Sequence, residues 1–357
     1  MSKDIYRELQ ERLDKYSVGF PATESGIEIT ILKAMFSEED AALFLSLSPI
    51  LEFPESVAQR INRPVDETSA RLEDMAKRGL LFRVKKGDTT PKYGAIPFVH
   101  GLFEFQVKRL DKDFAKLVEN YFDNDFYHAM AKNAGGFLRT IPIQQSIDVT
   151  QNVAAYEDAC ELLKKQKTIV VTDCICRKLR ATVDTGCGKS MEACFMFGSM
   201  AQYYLDHDMG RKVSLDEAIA ILTKAQEDGL VTQPATAQNP GGMCNCCGDC
   251  CGVLKSLNLF PKPAEMVFSN YYATINDEEC VGCEACLDRC QMGALSMTDD
   301  EKAAVNLDRC IGCGLCVTTC PSEAIQLVLK PEQNRKVPPA TSGEQMMNMA
   351  VNRGIEF

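Results

Sequence analysis

Two cysteine runs in the last quarter of the chain constrain this sequence more than anything else in it. Residues 280–290 read CVGCEACLDRC and residues 310–321 read CIGCGLCVTTCP. Cys280, Cys283, Cys286 and Cys290 stand at C-x2-C-x2-C-x3-C spacing. Cys310, Cys313, Cys316 and Cys320 repeat it thirty residues later, with Pro321 behind the last. Three thiolates at this spacing in a tight loop hold three irons of one cubane, and a distant cysteine supplies the fourth. Zinc ribbons and disulfides are the competing readings. Zinc sites, however, usually pair two CxxC knuckles rather than string three ligands in series. The repeat therefore predicts two [4Fe-4S] clusters on these eight cysteines.

Over about residues 270–330, a sixth of the chain, the segment resembles the bacterial two-[4Fe-4S] ferredoxins. That resemblance implies that the fourth cysteine of each run crosses to the other cluster. One cluster would then take Cys280, Cys283, Cys286 and Cys320, and the other Cys310, Cys313, Cys316 and Cys290. The family usually has proline after both fourth cysteines; Gln291 stands at the first of these places.

A chain of 357 residues has room for two or three cored domains. Its net charge of −11 disfavours non-specific binding to nucleic acid or an anionic membrane. Eighteen cysteines, clustered rather than scattered, point to metal instead of bridges. The start, MSKDIYRELQERLDKYS, reads as a short amphipathic helix without an apolar leader core, and no later run is long enough to cross a bilayer. The expected location is cytoplasmic, where thiols stay reduced. Low-potential clusters with exposed edges would also suit an anaerobic host.

The whole reads as an α+β protein in five parts. Residues 1–100 form an N-terminal helix and a winged-helix-like domain. Ser37 starts a helix, Pro54 and Pro64 open two more, and Leu81–Asp88 with the return through Tyr93 makes a hairpin. Three helices and a hairpin resemble a winged helix, which implies DNA binding. The third helix nevertheless sets Asp66, Glu67, Glu73 and Asp74 against Arg71, Lys77 and Arg78, and only the wing is basic. A phosphate-binding surface needs aligned cations, so the part is read as a docking or dimerising module.

Residues 101–165 are a helical connector whose aromatic stripe, from Phe103 to Phe122, is read as core. His100 and His128 have no ligand-spaced partner and are read as structural. Cys160 is read as a small buried hydrophobe.

Residues 166–262 form a cysteine-rich metal-binding domain. A β-branched strand, residues 168–172, delivers Cys174 and Cys176; Cys187 and Cys194 follow, and MCNCCGDCCG supplies Cys244, Cys246, Cys247, Cys250 and Cys251. The last stretch carries too little apolar sequence for a core strand. Zinc stays open for these nine thiols, but iron–sulfur suits a redox chain better, because zinc carries no electrons. One or two additional clusters are expected. The neighbours Cys246/Cys247 and Cys250/Cys251 would each divide between two centres, with Gly248 and Gly252 easing tight turns and Arg177 and Lys178 offsetting cluster charge. Thr185–Ser190 ends like a phosphate loop but lacks its first glycine, Val183 standing there.

Residues 263–332 are the dicluster ferredoxin domain, and 333–357 a flexible tail. The combination of DCICR, CNCC and the dicluster motif resembles a group of multi-cluster iron–sulfur proteins of anaerobic bacteria. The leading function is electron transfer, alone or as a subunit of an oxidoreductase complex with a redox partner protein. A redox-responsive DNA-binding regulator is the alternative. An enzyme with an open coordination site is a third reading, which a three-cysteine centre in the middle domain would favour.

Overall fold

Five helices open the chain, each starting where the sequence supplies a reason. The computed structural model describes residues 4–48, 50–143, 146 and 154–355; residues 147–153 of the expected connector lie outside them. Asp4 caps α1 (Ile5–Asp14), and Gly26, in the left-handed region, precedes α2 (Ile27–Met35). A capping box between Ser37 and Asp40 starts α3 (Glu38–Ser46). Pro54 and Pro64, with their fixed φ, set the starts of α4 (Pro54–Ile61) and α5 (Val65–Lys77). A hairpin follows, β1 (Phe82–Val84) antiparallel to β2 (Lys92–Gly94).

The chain then passes through irregular turns, in which His100 is left-handed with φ 56°, to α6 (Lys112–Tyr121) and α7 (Tyr127–Phe137). Here Phe20, Phe98 and Tyr121 pack ring against ring. They belong to one apolar core that runs from Leu9 through Phe103 and Leu254 to Ile311 and Met349. Burial of this kind stabilises by about 25 cal/mol per Å² of apolar surface, and it is shared between the two ends of the chain.

Next come α8 (Ala159–Lys164), β3 (Ile169–Asp173), α9 (Ile175–Thr182), β4 (Glu192–Phe197) and α10 (Gly198–Asp206). They are followed by β5 (Arg211–Val213), α11 (Leu215–Glu227), β6 (Val231–Pro234) and β7 (Gly242–Cys246). The strands make one antiparallel sheet in the order β5-β3-β4-β7-β6. Side chains alternate between faces. Val171, Phe195, Phe197 and Met243 turn to α8 and α11, with Cys160, Leu162 and Leu222. Cys194, Met196, Cys244 and Cys246 are offset by one and turn the other way.

The expectation that CNCC lies outside a core strand is therefore corrected: β7 is an inner strand. Its polar Asn245 is fully buried because it is satisfied. Nδ2 donates to Ala193 O at 3.0 Å and Oδ1 accepts from Thr232 Oγ1 at 3.1 Å.

The remainder comprises α12 (Gly252–Asn258), α13 (Pro263–Met266), β8 (Tyr271–Ile275), α14 (Ala285–Arg289), β9 (Leu295–Met297), β10 (Ala303–Val305) and β11 (Ile325–Leu329). β8 pairs with β11 and β9 with β10, both antiparallel. Residues 333–357, expected as a flexible tail, instead carry α15 (Ser342–Asn352), with a Thr341–Glu344 capping box. Met349 and Ala350 are buried, Gln345 Nε2 donates to Phe137 O at 2.8 Å, and Arg353 Nη1 to Ser17 O at 3.1 Å. The methionines that looked like polar tail include one anchor of a docked face. Among the described residues no helix is long and apolar enough to cross a membrane.

Candidate metal centres

In the C-terminal half the two cysteine runs exchange their last members. Cys280, Cys283, Cys286 and Cys320 line one cavity; Cys310, Cys313, Cys316 and Cys290 line another. Backbone amides already address the sulfurs: Ala303 N–H donates to Cys280 Sγ, Ala294 N–H to Cys290 Sγ and Ala273 N–H to Cys310 Sγ, at 3.4, 3.2 and 3.4 Å. Gly282 and Gly312 hold matching places in the two runs, both with positive φ. A Cβ would meet Glu301 O or Tyr271 O there at 2.5 and 2.2 Å, so no other residue fits. Cys283 is the exposed member of the first set, while burial pushes the Cys313 thiol up to about 12.

The nine cysteines of the middle region divide six to three. Cys174, Cys176, Cys194, Cys244, Cys246 and Cys251 line one cavity between the sheet and the turns after β2. Around it Cys174 touches Cys176 and Cys194, Cys194 touches Cys244, Cys244 touches Cys246, and Cys246 touches Cys251. Hydrogen bonds from thiol neighbours lower Cys174 and Cys244, and the same bonds, with burial, raise Cys176, Cys194 and Cys246. β-Sheet register makes the ring: Cys194 stands directly opposite Cys244 across β4 and β7.

Cys187, Cys247 and Cys250 form the second group, on the other side of the loop that follows β7. Their sulfurs all lie within 4.8 Å of one another, Cys187 and Cys247 at 3.7 Å. Adjacent cysteines thus do face opposite ways, Cys246 and Cys251 to the ring, Cys247 and Cys250 to the trio. No disulfide joins any cysteine of the chain.

Arg177 tests whether an anionic metal–thiolate group suits this place. The side chain is fully buried, and its only hydrogen bond is from Nη1 to Asn245 O at 3.0 Å; Nε and Nη2 have no hydrogen-bond partner. Cys174, Cys194, Cys246 and Cys247 surround it, and their negative charge outweighs burial and raises its pKa. A buried guanidinium without a carboxylate is costly unless an anion stands beside it, and metal-bound thiolates meet that requirement. Lys178, by contrast, is paired with Asp173 at 3.3 Å.

His100 is the residue that sequence reasoning missed. The sequence leaves it without a ligand-spaced partner, yet the half-buried ring packs on Phe137 and sets Nε2 3.9 Å from Cys244 Sγ. Burial lowers its basicity, but Cys244 and Glu104 raise it overall. Glu104, also at the cavity, is pushed up to about 7 by burial. The signal was absent from spacing, since 144 residues separate His100 from Cys244; only its left-handed backbone marks the site. Phe103 and Phe122 are core, as expected, and also line the cavity. Cys187 of the rejected phosphate loop sits in the trio, while Ser190 bonds Asp228.

Gln291 lies where the two cysteine loops meet. Gly248 N–H donates to Gln291 Oε1 at 2.7 Å, and Gln291 O accepts from Asn258 Nδ2 at 2.9 Å. Gly248 is needed for this approach rather than for a turn, since a Cβ would meet Gln291 O at 2.7 Å. The residue that departs from the family's proline is the one that binds the middle loop.

A family model described as a 4Fe-4S dicluster domain matches residues 273–327. No curated protein and no solved structure matches the chain. The C-terminal half therefore carries a 4Fe-4S dicluster domain, which supports an iron–sulfur electron-transfer role in general terms.

Proposed function

We propose that this chain is an electron-transfer iron–sulfur protein, or the electron-transfer subunit of an anaerobic redox complex, with three clusters. Two would be held by the crossed sets Cys280/Cys283/Cys286/Cys320 and Cys310/Cys313/Cys316/Cys290. The third would be held by four or more of the six ring cysteines, with His100 beside them. Bound there, such clusters exchange single electrons at potentials set by hydrogen bonds to sulfur and by exposure.

The observation that carries the reading is the joint at Gln291. It ties the residue after Cys290 to Gly248, in the loop between the ring cysteines Cys246 and Cys251, so that loop and the dicluster loop share one hydrogen-bonded frame. The remaining residues supply what such a chain needs. Phe103, Phe122 and Phe137 keep water from the ring, Arg177 balances its charge, and Cys283 and Val281 leave the outer set exposed for a partner protein.

The DNA-binding alternative gains nothing from the N-terminal helices. Arg63, Arg71, Arg78 and Arg83 are each ion-paired, and Arg83 reaches Asp206 on α10. Tyr203 on α10 donates to Ala76 O and Leu81 O at 2.8 and 2.9 Å, so α5 and the hairpin are moored to the sheet domain. A phosphate-binding surface needs several aligned cations, and these four arginines face carboxylates of the protein itself.

The test is iron and acid-labile sulfide analysis of anaerobically purified protein, with EPR after dithionite. About twelve irons per chain are expected, four for each cluster. Fewer than about eight, or no reduced-cluster signal, removes the reading.

A further inference from the structure

The trio differs from every other cysteine set in how close its sulfurs lie. Among the described residues it is the one group of three or more Cys, His, Asp or Glu whose ligand atoms are all within 4.8 Å of one another. Neither crossed set in the dicluster domain meets that limit, nor does any three of the ring. The thiolates of a cubane sit on different irons and must stand apart, whereas ligands of one ion share a small tetrahedron. With zinc–sulfur bonds of about 2.3 Å, its edge is about 3.8 Å. Cys187 and Cys247 are 3.7 Å apart.

We propose that Cys187, Cys247 and Cys250 bind one tetrahedral divalent ion, zinc by preference, as a mononuclear three-thiolate site whose fourth position is left to water or an external donor. The proposal does not rest on the electron-transfer reading.

Three further observations support it. Cys247-Gly248-Asp249-Cys250 is a C-x2-C knuckle, the spacing with which zinc sites are built. Cys187 completes it from the loop between α9 and β4. Arg177, shared with the ring, has Cys247 among the thiols around it, so its buried guanidinium, unpartnered at Nε and Nη2, partly offsets the one negative charge that three thiolates and a divalent ion leave. Finally, the acids nearest in sequence are committed elsewhere. Asp249 pairs with Lys189 at 3.3 Å, and Asp184 with Lys112 at 2.8 Å. Closed structural zinc sites take four protein ligands, whereas three leave a position open for an outside donor.

The test is metal analysis and zinc-edge X-ray absorption on the full, anaerobically purified chain. One zinc per chain is expected, with three sulfur neighbours at about 2.3 Å and one oxygen or nitrogen. Cys187→Ser, on a half-exposed loop, should lose that ion and leave iron, labile sulfide and the reduced EPR spectrum unchanged. Replacing zinc by cobalt should give a thiolate-to-cobalt charge-transfer band in the parent chain and not in the variant. The proposal is overturned if Cys187→Ser removes about four irons with their sulfide. It is also overturned if the parent holds no tightly bound ion beyond cluster iron, or if the absorption edge shows four sulfurs. Failure of the electron-transfer reading would show separately, as missing iron and sulfide in the parent chain.

Discussion

The dicluster half and the middle half of this protein collect cysteines by opposite means. In residues 280–320 the ligands come from two short loops, each of which carries three of them within seven residues and needs only a glycine at the crowded place. The middle cysteines come from separate segments, 174–176, 187, 194 and 244–251, and His100 joins them from the turns after β2. There, sheet register does what spacing does in the loops: Cys194 faces Cys244 because β4 and β7 pair at that step. A loop site is written in consecutive residues and can be recognised anywhere. A sheet site exists only once the fold exists, so its ligands depend on the whole domain.

The sharpest way to break that contrast is to remove one ligand from each side. Cys244→Ser should cost the middle region its iron, about four per chain, while the dicluster EPR signal persists. Cys313→Ser should do the reverse. If either variant emptied both halves, the two systems would not be independent in assembly.

A smaller effect is expected at His100, whose removal to Ala should weaken metal retention in the ring about 10–100-fold, as for other groups placed against a metal ligand. Competition with a chelator reads it, and the dicluster domain should be untouched.

Asp40 gives a control remote from both systems. Burial would raise it, but hydrogen bonds from Arg78 and Ser37 hold its carboxyl at about 2. Its folded pKa lies below the ordinary carboxyl value of 3.8, so the unfolded chain binds the extra proton. The stabilisation is present above about pH 4 and is lost as pH falls through about 2. Asp40→Asn should cost about 2–3 kcal/mol at neutral pH, seen as a lower urea midpoint, with iron content unchanged.

Least of all, Gln291→Pro should cost about 1–2 kcal/mol by leaving the Gly248 N–H without its acceptor. Both halves should keep their metal, and the melting temperature should fall. A variant as stable as the parent would mean that the joint between the two systems adds nothing.

Much of the first half of the contrast was legible in advance. The two cysteine runs, the helix starts at Ser37, Pro54 and Pro64, and the strand at 168–172 rest on local signals, while the crossing of the last cysteines came from the resemblance those runs carry. β7 was not legible, because a strand reading Gly-Met-Cys-Asn-Cys lacks the β-branched and aromatic residues that advertise one. Nor was α15, whose buried contacts are made by Gln345, Met349 and Ala350 rather than by a regular apolar stripe. The sixfold ring and the trio could be foreseen only as nine thiols in want of a reason. Which thiol went to which group was decided by the alternation of β7 and by the loop that leaves it.

That loop has a consequence for how the protein is matured. From Cys246 to Cys251 one short stretch of backbone presents Cys246 and Cys251 to the ring and Cys247 and Cys250 to the trio. If both proposed centres fill, metal bound on either face would order the same torsions, and the second arrival would find them already set. Linkage makes the gain mutual: whatever factor the ion adds to retention in the ring, the ring returns to the ion. Under the two proposals loading would be cooperative whichever centre filled first, and a chain lacking the ion would keep its ring iron through purification but yield it sooner to a chelator.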